Sequence, residues 1–162
     1  MPRERKIEGI FSSMDVTENI TSSQLKNFNR FGFLKQNEEQ NLARKWVDRL
    51  SIKTPSISAD CGRLSGGNQQ KVVLAKWRSS GAKLMMLDHP TRGLDIGAKQ
   101  DVYGMIREMC AAGIGLIVVP DTFEEAIGLA HTILVMKDGK TVSVFDTSTQ
   151  NVTPFDLVSA MT

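Results

Sequence analysis

Leu64-Ser65-Gly66-Gly67-Asn68-Gln69-Gln70-Lys71 runs without a break into Val72, Val73, Leu74, Ala75 and Trp77. A serine and two glycines ahead of an apolar stretch predict a helix that starts at the serine. Ser65 is a preferred N-cap type, and glycines, lacking Cβ, let a ligand come close to backbone amides. The first helical turn carries N–H groups with no intrahelical partner and a partial positive charge, which suits an anion such as phosphate. Taken alone, the stretch leaves a second reading open: a flexible cap with no ligand.

The surrounding composition sets the bounds. At 162 residues the chain is long enough for one domain with a real core, and 41% hydrophobic with 23% charged residues is ordinary for a soluble globular protein. A net charge of +2 supplies no large basic field, so nucleic acid is not an expected partner. No run approaches the roughly 18 apolar residues of a spanning helix. Met1 to Gly9 is charged, unlike a secretory leader. Cys61 and Cys110 have neither metal-ligand nor disulfide-framework spacing and read as reduced cytosolic thiols.

Ahead of the helix, Glu8 to Phe11 with Met14 and Val16 reads as extended, and Thr17 to Ile20 as the start of a short helix. Leu25, Phe28, Phe31, Phe33 and Leu34 are apolar anchors of a mixed stretch. Asn37-Glu38-Glu39-Gln40 is a capping-box pattern, followed by Leu42, Trp46, Val47 and Leu50 on one helical face, and Lys53 to Ser56 ends that helix. Downstream, Leu84-Met85-Met86-Leu87 is an apolar run ending in Asp88, the pattern of a strand buried on both faces. Ala98 to Ala112 predicts an amphipathic helix with Val102, Met105, Ile106 and Met109 inward and Gly113 as its stop. Gly115 to Val119 is a second strand. Asp121-Thr122-Phe123-Glu124 offers a capping box with Asp121 at the cap, opening a short helix to about Ala130. Thr132 to Met136 is a third strand, turned by Asp138-Gly139 into Thr141 to Phe145, and Thr153-Pro154 opens a last helix. Strands alternating with helices predict an α/β fold with a mainly parallel sheet.

Three features carry chemistry in a fixed order: the Ser-Gly-Gly helix, the strand ending in Asp88, and Pro90-Thr91-Arg92-Gly93-Leu94-Asp95. A carboxylate at the C-terminal end of a buried parallel strand is where a nucleotide enzyme holds Mg²⁺. Together they resemble the signature motif, Walker B and D-loop of an ABC-transporter ATP-binding cassette. Asn68 to Lys71 and Pro90 to Lys99 resemble in particular the second cassette of the monosaccharide-importer group. The opening Pro2 to Lys6, with Glu8-Gly9 and Glu18-Asn19-Ile20, resembles the segment just after that group's Q-loop position, near which Arg3 stands.

The resemblance implies a partial P-loop NTPase fold. Residues 1–16 would come after the Q-loop, 17–80 would be a helical subdomain with the signature, 81–145 the C-terminal part of the ATPase core, and 146–162 a tail. It implies ATP and Mg²⁺ as cofactors. Ser65, Gly66, Gly67 and Gln69 would serve the γ-phosphate of ATP held by an opposing cassette, Asp88 would orient Mg²⁺ through water, and Asp95 would bridge the cassettes. The implied partners are another cassette or an N-terminal cassette half, and permease subunits at the cytoplasmic face of the membrane.

Departures qualify the pattern. The phosphate cradle G-x-x-x-x-G-K-[ST] is absent: Gly139-Lys140-Thr141 has Leu134 where the first glycine belongs and sits in a hairpin turn, so it is a decoy. The chain therefore reads as the C-terminal portion of a cassette, and a stand-alone ATPase of another P-loop type is disfavoured. His89 stands where the family normally has the catalytic glutamate, with a solvent-facing polar residue as the plain alternative. Asp121 occupies the switch position, where many cassettes have histidine and the monosaccharide group often has serine, and reads more simply as a helix cap. Two functions remain: an importer ATPase component acting in trans, or a non-enzymatic remnant or interaction module with an unpaired hydrophobic edge.

Overall fold

The computed structural model describes residues 1–2, 4–30 and 33–161, the side chains of Arg5, Lys6 and Arg30 excepted; Arg3 and the expected Phe31 anchor lie outside the described residues. The opening segment is not extended as its composition suggests: Arg5–Gly9 forms a π-helical turn. Asp15 then caps α1 (Val16–Thr21) in a two-way capping box with Glu18, at 2.8 and 2.9 Å. Fully buried Asn19 staples the preceding turn to α1, accepting from the Phe11 amide at 2.8 Å and donating to the carbonyls of Phe11, Met14 and Asp15.

Next come α2 (Leu25–Phe28) and a short antiparallel pair, β1 (Asn29–Arg30) and β2 (Phe33–Leu34). Of the described anchors only Phe28 is buried; Leu25, Phe33 and Leu34 face solvent. The pair delivers Lys35, whose amide bonds the Phe28 carbonyl at 2.9 Å, so the next helix closes its first turn early. Consequently α3 spans Gln36–Arg49 with Lys35 at its cap, and the expected Asn37 cap is displaced into the helix. Trp46 and Leu50 turn inward, as the spacing predicts, with Leu42 and Val47 partly buried beside them and Ala43, which the spacing does not mark, fully buried.

α4 (Gly66–Ser79) is the axis of the molecule, with Gln69 through Lys76 all buried. Buried Lys76 sends its ammonium to the Gly9 carbonyl at 2.9 Å, between the rings of Phe11 and Trp77, which ties the opening segment to α4. β3 (Leu84–Asp88), α5 (Ile96–Ala111) and β4 (Gly115–Val119) form one crossover unit, with β3 and β4 parallel in register from Leu84–Gly115 to Asp88–Val119. The main core joins residues of α1, α3, α4, β3 and α5.

β3 is not buried on both faces. Met85 and Leu87 pack against the helices, whereas Leu84 and Met86 are 60% and 62% exposed and Ile117 and Val119 of β4 are about half exposed. α4 and α5 cover one face, and no described element covers the other. The chain start runs beside the edge of β3: the Met1 ammonium donates to the Met86 carbonyl, and the Asp88 amide donates to the Met1 carbonyl at 3.1 Å.

α6 (Phe123–Leu129) leads to the antiparallel hairpin β5 (Thr132–Lys137) and β6 (Lys140–Asp146). Asp138 and Gly139 both have positive φ, +50° and +76°, as a primed hairpin turn requires. Among the described strands β5 pairs only with β6, so it does not extend the parallel pair as the alternation predicts. With α7 (Pro154–Met161) the hairpin encloses its own small core around Ile133, Val135, Val152 and Leu157.

Gly67 is needed for packing: a Cβ there would lie 2.9 Å from the Ala98 Cβ at the start of α5. Replacing Gly67 with alanine is expected to cost about 1–2 kcal/mol net, overpacking outweighing the better helix propensity of alanine. That is a melting temperature lower by roughly 3–6 °C at this size, with Ala98→Gly in the same chain restoring it. An unchanged melting temperature would remove the packing argument.

Candidate nucleotide site

Ser65 is the N-cap of α4, yet its side chain caps nothing in the helix. Instead Ser65 Oγ accepts from Asn68 Nδ2 at 2.8 Å, while Asn68 Oδ1 accepts the Lys53 amide at 2.8 Å. The first helical bond runs from the Gln69 amide to the Ser65 carbonyl, so the Gly66, Gly67 and Asn68 amides lack an intrahelical partner. Ser65 is exposed. Gln69 lies beneath this surface: it is 3% exposed, Nε2 donates to the Gly62 carbonyl at 3.2 Å, and Oε1 is buried without a partner. Its neighbour Gln70 reaches the Pro90 carbonyl and ties α4 to the loop after β3.

Asp88 ends β3 with its carboxylate half exposed. His89 follows in the left-handed region, φ +45°, its amide extending the parallel ladder to the Val119 carbonyl at 2.9 Å. This backbone turns the ring toward β4, where Nδ1 lies 2.8 Å from Asp121 Oδ1. The other ring nitrogen, Nε2, lies 3.7 Å from Asp88 Oδ1.

Asp121 is therefore not a cap. Thr122 is the N-cap of α6, its hydroxyl accepting the Glu125 amide at 3.3 Å, and the Asp121 carboxylate is held between His89 and Thr91 Oγ1, the latter at 3.0 Å. His89 and Asp121, at the expected glutamate and switch positions, thus meet as an imidazole–carboxylate pair. Asp95 does act as a cap: it holds the Ala98 amide at 2.8 Å and opens α5.

A further polar cluster centres on Glu125, a residue that the sequence pattern does not mark. Glu125, 7% exposed, accepts from Lys99 Nζ at 2.8 Å, Tyr103 Oη at 2.7 Å and the Asp121 amide at 3.1 Å. Fully buried Thr91 places its hydroxyl within 2.9 Å of both Glu125 oxygens, its single proton serving one acceptor at a time. Burial alone would raise the Glu125 pKa, but hydrogen bonds from Lys99, Tyr103, Thr91 and the Asp121 amide outweigh it and bring the value down to about 2. Tyr103 is pushed up to about 12 by burial, then by its hydrogen bond to Glu125 and the charge of that carboxylate. A depressed carboxylate stabilises the fold above its ordinary value of 4.5, and the contribution is lost as pH falls through about 2. Urea midpoints are expected to fall between pH 5 and pH 2, with on the order of 2 kcal/mol assignable to this residue. Glu125→Gln should flatten the fall; an identical acid profile in that variant would count against the assignment.

A phosphate fits the start of α4, where unpartnered amides and an exposed hydroxyl lie together and Ser65 to Asn68 include no carboxylate. A metal cage is not present: no group of three or more His, Cys, Asp or Glu side chains among the described residues could hold an ion. Asp88 alone could reach a Mg²⁺ whose other ligands are waters and phosphate oxygens.

A parallel strand–helix–strand unit whose first strand ends in Asp88, with a glycine-opened helix against its crossover, is an arrangement of the P-loop ATP-binding cassette fold. The family profile for ABC transporters matches residues 3–92, and the chain belongs to that family. It is 43% identical over 148 residues to the ribose import ATP-binding protein RbsA of Rhodopirellula baltica, covering 91% of this chain and 29% of that protein. With RbsA 3 of Rhizobium etli it shares 41% over all 162 residues, 31% of the relative. With the arabinose import ATP-binding protein AraG of Rhizobium meliloti it shares 38% over 148 residues, 91% of this chain and 29% of the relative. The chain thus spans under a third of the length of these relatives. Among solved structures, a metal-chelate type ABC transporter in an inward-facing conformation matches with a TM-score of 0.75 at 19% identity, over 92% of this chain and 58% of that one. A dimeric ATP-binding cassette bound to ADP and phosphate matches at 0.70 and 19% identity, over 85% and 59%. No helix among the described residues is long and apolar enough to cross a membrane.

Proposed function

We propose that this chain is part of the ATP-binding component of a monosaccharide importer and supplies the signature in trans. Ser65, Gly66 and Gly67 complete a site whose phosphate cradle belongs to another segment or polypeptide. The observation that carries this reading is a first helical turn left uncapped by its own serine, in 162 residues that contain no cradle motif. Bound Mg-ATP would supply the phosphoryl group to be cleaved. On this chain, Asp88 orients the metal's waters, His89 Nε2 lies beside it, Asp121 fixes the His89 ring, and Asp95 sits at the boundary with the opposing cassette. Gln69 supports the site from below by holding the 61–62 backbone. Residues 17–80 act as the helical subdomain toward the permease, 81–145 as the core behind it, and the location is the cytoplasmic face of the membrane. The names of the relatives and the placement of Asp88 support this reading.

The uncovered apolar face of β3 and β4 favours a second reading, an interaction module that binds no nucleotide productively. It equally suits a cassette N-terminal half docked there, and solved cassettes, of which this chain covers 58–59%, have the additional length to provide one. Titration calorimetry with Mg-ATP separates a half-site from a complete one. The isolated chain should show no micromolar binding, and micromolar affinity of the chain by itself would defeat the trans account.

A further inference from the structure

Glu125 touches neither Asp88 nor Ser65, yet it draws donors from three other places: Thr91 in the loop between β3 and α5, Lys99 and Tyr103 on α5, and the amide of Asp121 before α6. A glutamate at this position of a helix ordinarily closes a capping box on the N-cap amide. Here the carboxylate passes over the N-cap Thr122 to the residue before it and spends its remaining lone pairs on side chains from elsewhere in the chain. A buried carboxylate with its acceptor sites filled is a rigid joint, because releasing any donor leaves a desolvated charge short of a partner. Thr91 roots the loop that ends at Asp95, and Asp121 holds His89.

We propose that Glu125 is a positioning residue that fastens the Pro90–Asp95 loop and the Val119–Thr122 turn to each other, so that the His89 and Asp95 sides of the site move as one body. The functional sense of this joint rests on the nucleotide reading above; the joint itself does not. Three elements meet on this one carboxylate, which adds the α5 donors to the direct bonds that His89 and Thr91 already make to Asp121.

Hydrogen exchange of the full chain without nucleotide tests it, so a chain that proves silent toward ATP leaves the result interpretable. Glu125→Gln should accelerate amide exchange at 89–95 and 119–125 together, by tenfold or more, while α4 keeps its protection. Glu125→Asp should restore part of the protection in both segments. Tyr103 is the only tyrosine, so its phenolate absorbance reports the joint directly, and in Glu125→Gln its titration should move from about 12 toward the ordinary 10. If the glutamine variant fails to fold, Thr91→Val removes the loop's hydroxyl from both Glu125 and Asp121 and should accelerate 89–95 with a smaller rise at 119–125, while Lys99→Met, which leaves the Thr91–Asp121 bond in place, should raise both segments less than Glu125→Gln does. Acceleration confined to α6 would make Glu125 a helix-cap residue only. Uniform acceleration, or none, would equally overturn the proposal.

Discussion

Gly66→Asp should lower ATP turnover by about 10²–10³ in an assembly where this chain faces a cradle-bearing cassette, without lowering its own melting temperature. The two effects separate because they act on different partners of one helix end. A carboxylate in the first turn interacts favourably with the helix dipole, by roughly 0.3–1 kcal/mol, so the fold loses nothing. The same carboxylate occupies and repels the place of a phosphate, and removing one well-placed donor to a developing oxyanion already costs about 10²–10³ in rate. Ser65→Ala sharpens the point. A capping serine replaced by alanine costs about 1 kcal/mol, but Ser65 makes no cap bond, so its loss should appear in turnover and hardly in stability. Phosphate release and thermal melts on the same preparations check both statements. A fall in activity that tracks a fall in melting temperature would mean that the stretch is structural.

The second large effect concerns His89 and Asp121. His89→Glu alone would set two carboxylates at the 2.8 Å now spanned by an imidazole–carboxylate bond, so it should reduce both stability and any turnover. Asp121→His alone leaves two imidazoles and no fixed tautomer. The double variant rebuilds the bond in the opposite order and presents a carboxylate beside Asp88. A positioned base contributes about 10²–10⁴ in rate, so the double variant should exceed the wild type by at least tenfold in the reconstituted assembly. Stability measurements on the four proteins should give a coupling of roughly 0.5–3 kcal/mol, the range for residues in contact. Additive effects would mean that the two residues do not act as a pair.

Much of this architecture is legible before any coordinates. The helix behind Ser65, the strand ending at Asp88, the crossover helix with Val102, Met105, Ile106 and Met109 inward, and the Asp138-Gly139 turn all derive from periodicity and local backbone chemistry. The misreadings share a cause. Asp121 and Thr122 are both good caps, and each has a glutamate three residues on; the contest is decided by His89 and Thr91, some thirty residues away in the chain. Placing the cap one residue early points to Glu124 and hides Glu125. The apolar run at Leu84 to Leu87 declares a strand, but its composition does not say which elements will cover each face. Strand pairing is likewise non-local, so nothing within Thr132 to Met136 reveals that among the described strands it joins only β6. The start of α3 moves because the Phe28–Lys35 bond closes the chain ahead of Asn37.

Trans-complementation tests the central claim most directly. This chain would be mixed with a cassette whose cradle is intact and whose own signature serine and glycines have been disabled, and Mg-ATP turnover would be measured against chain concentration. The account predicts saturable recovery of turnover by the wild-type chain and none by its Gly66→Asp variant. No recovery at saturating chain, or equal recovery by both proteins, would contradict it.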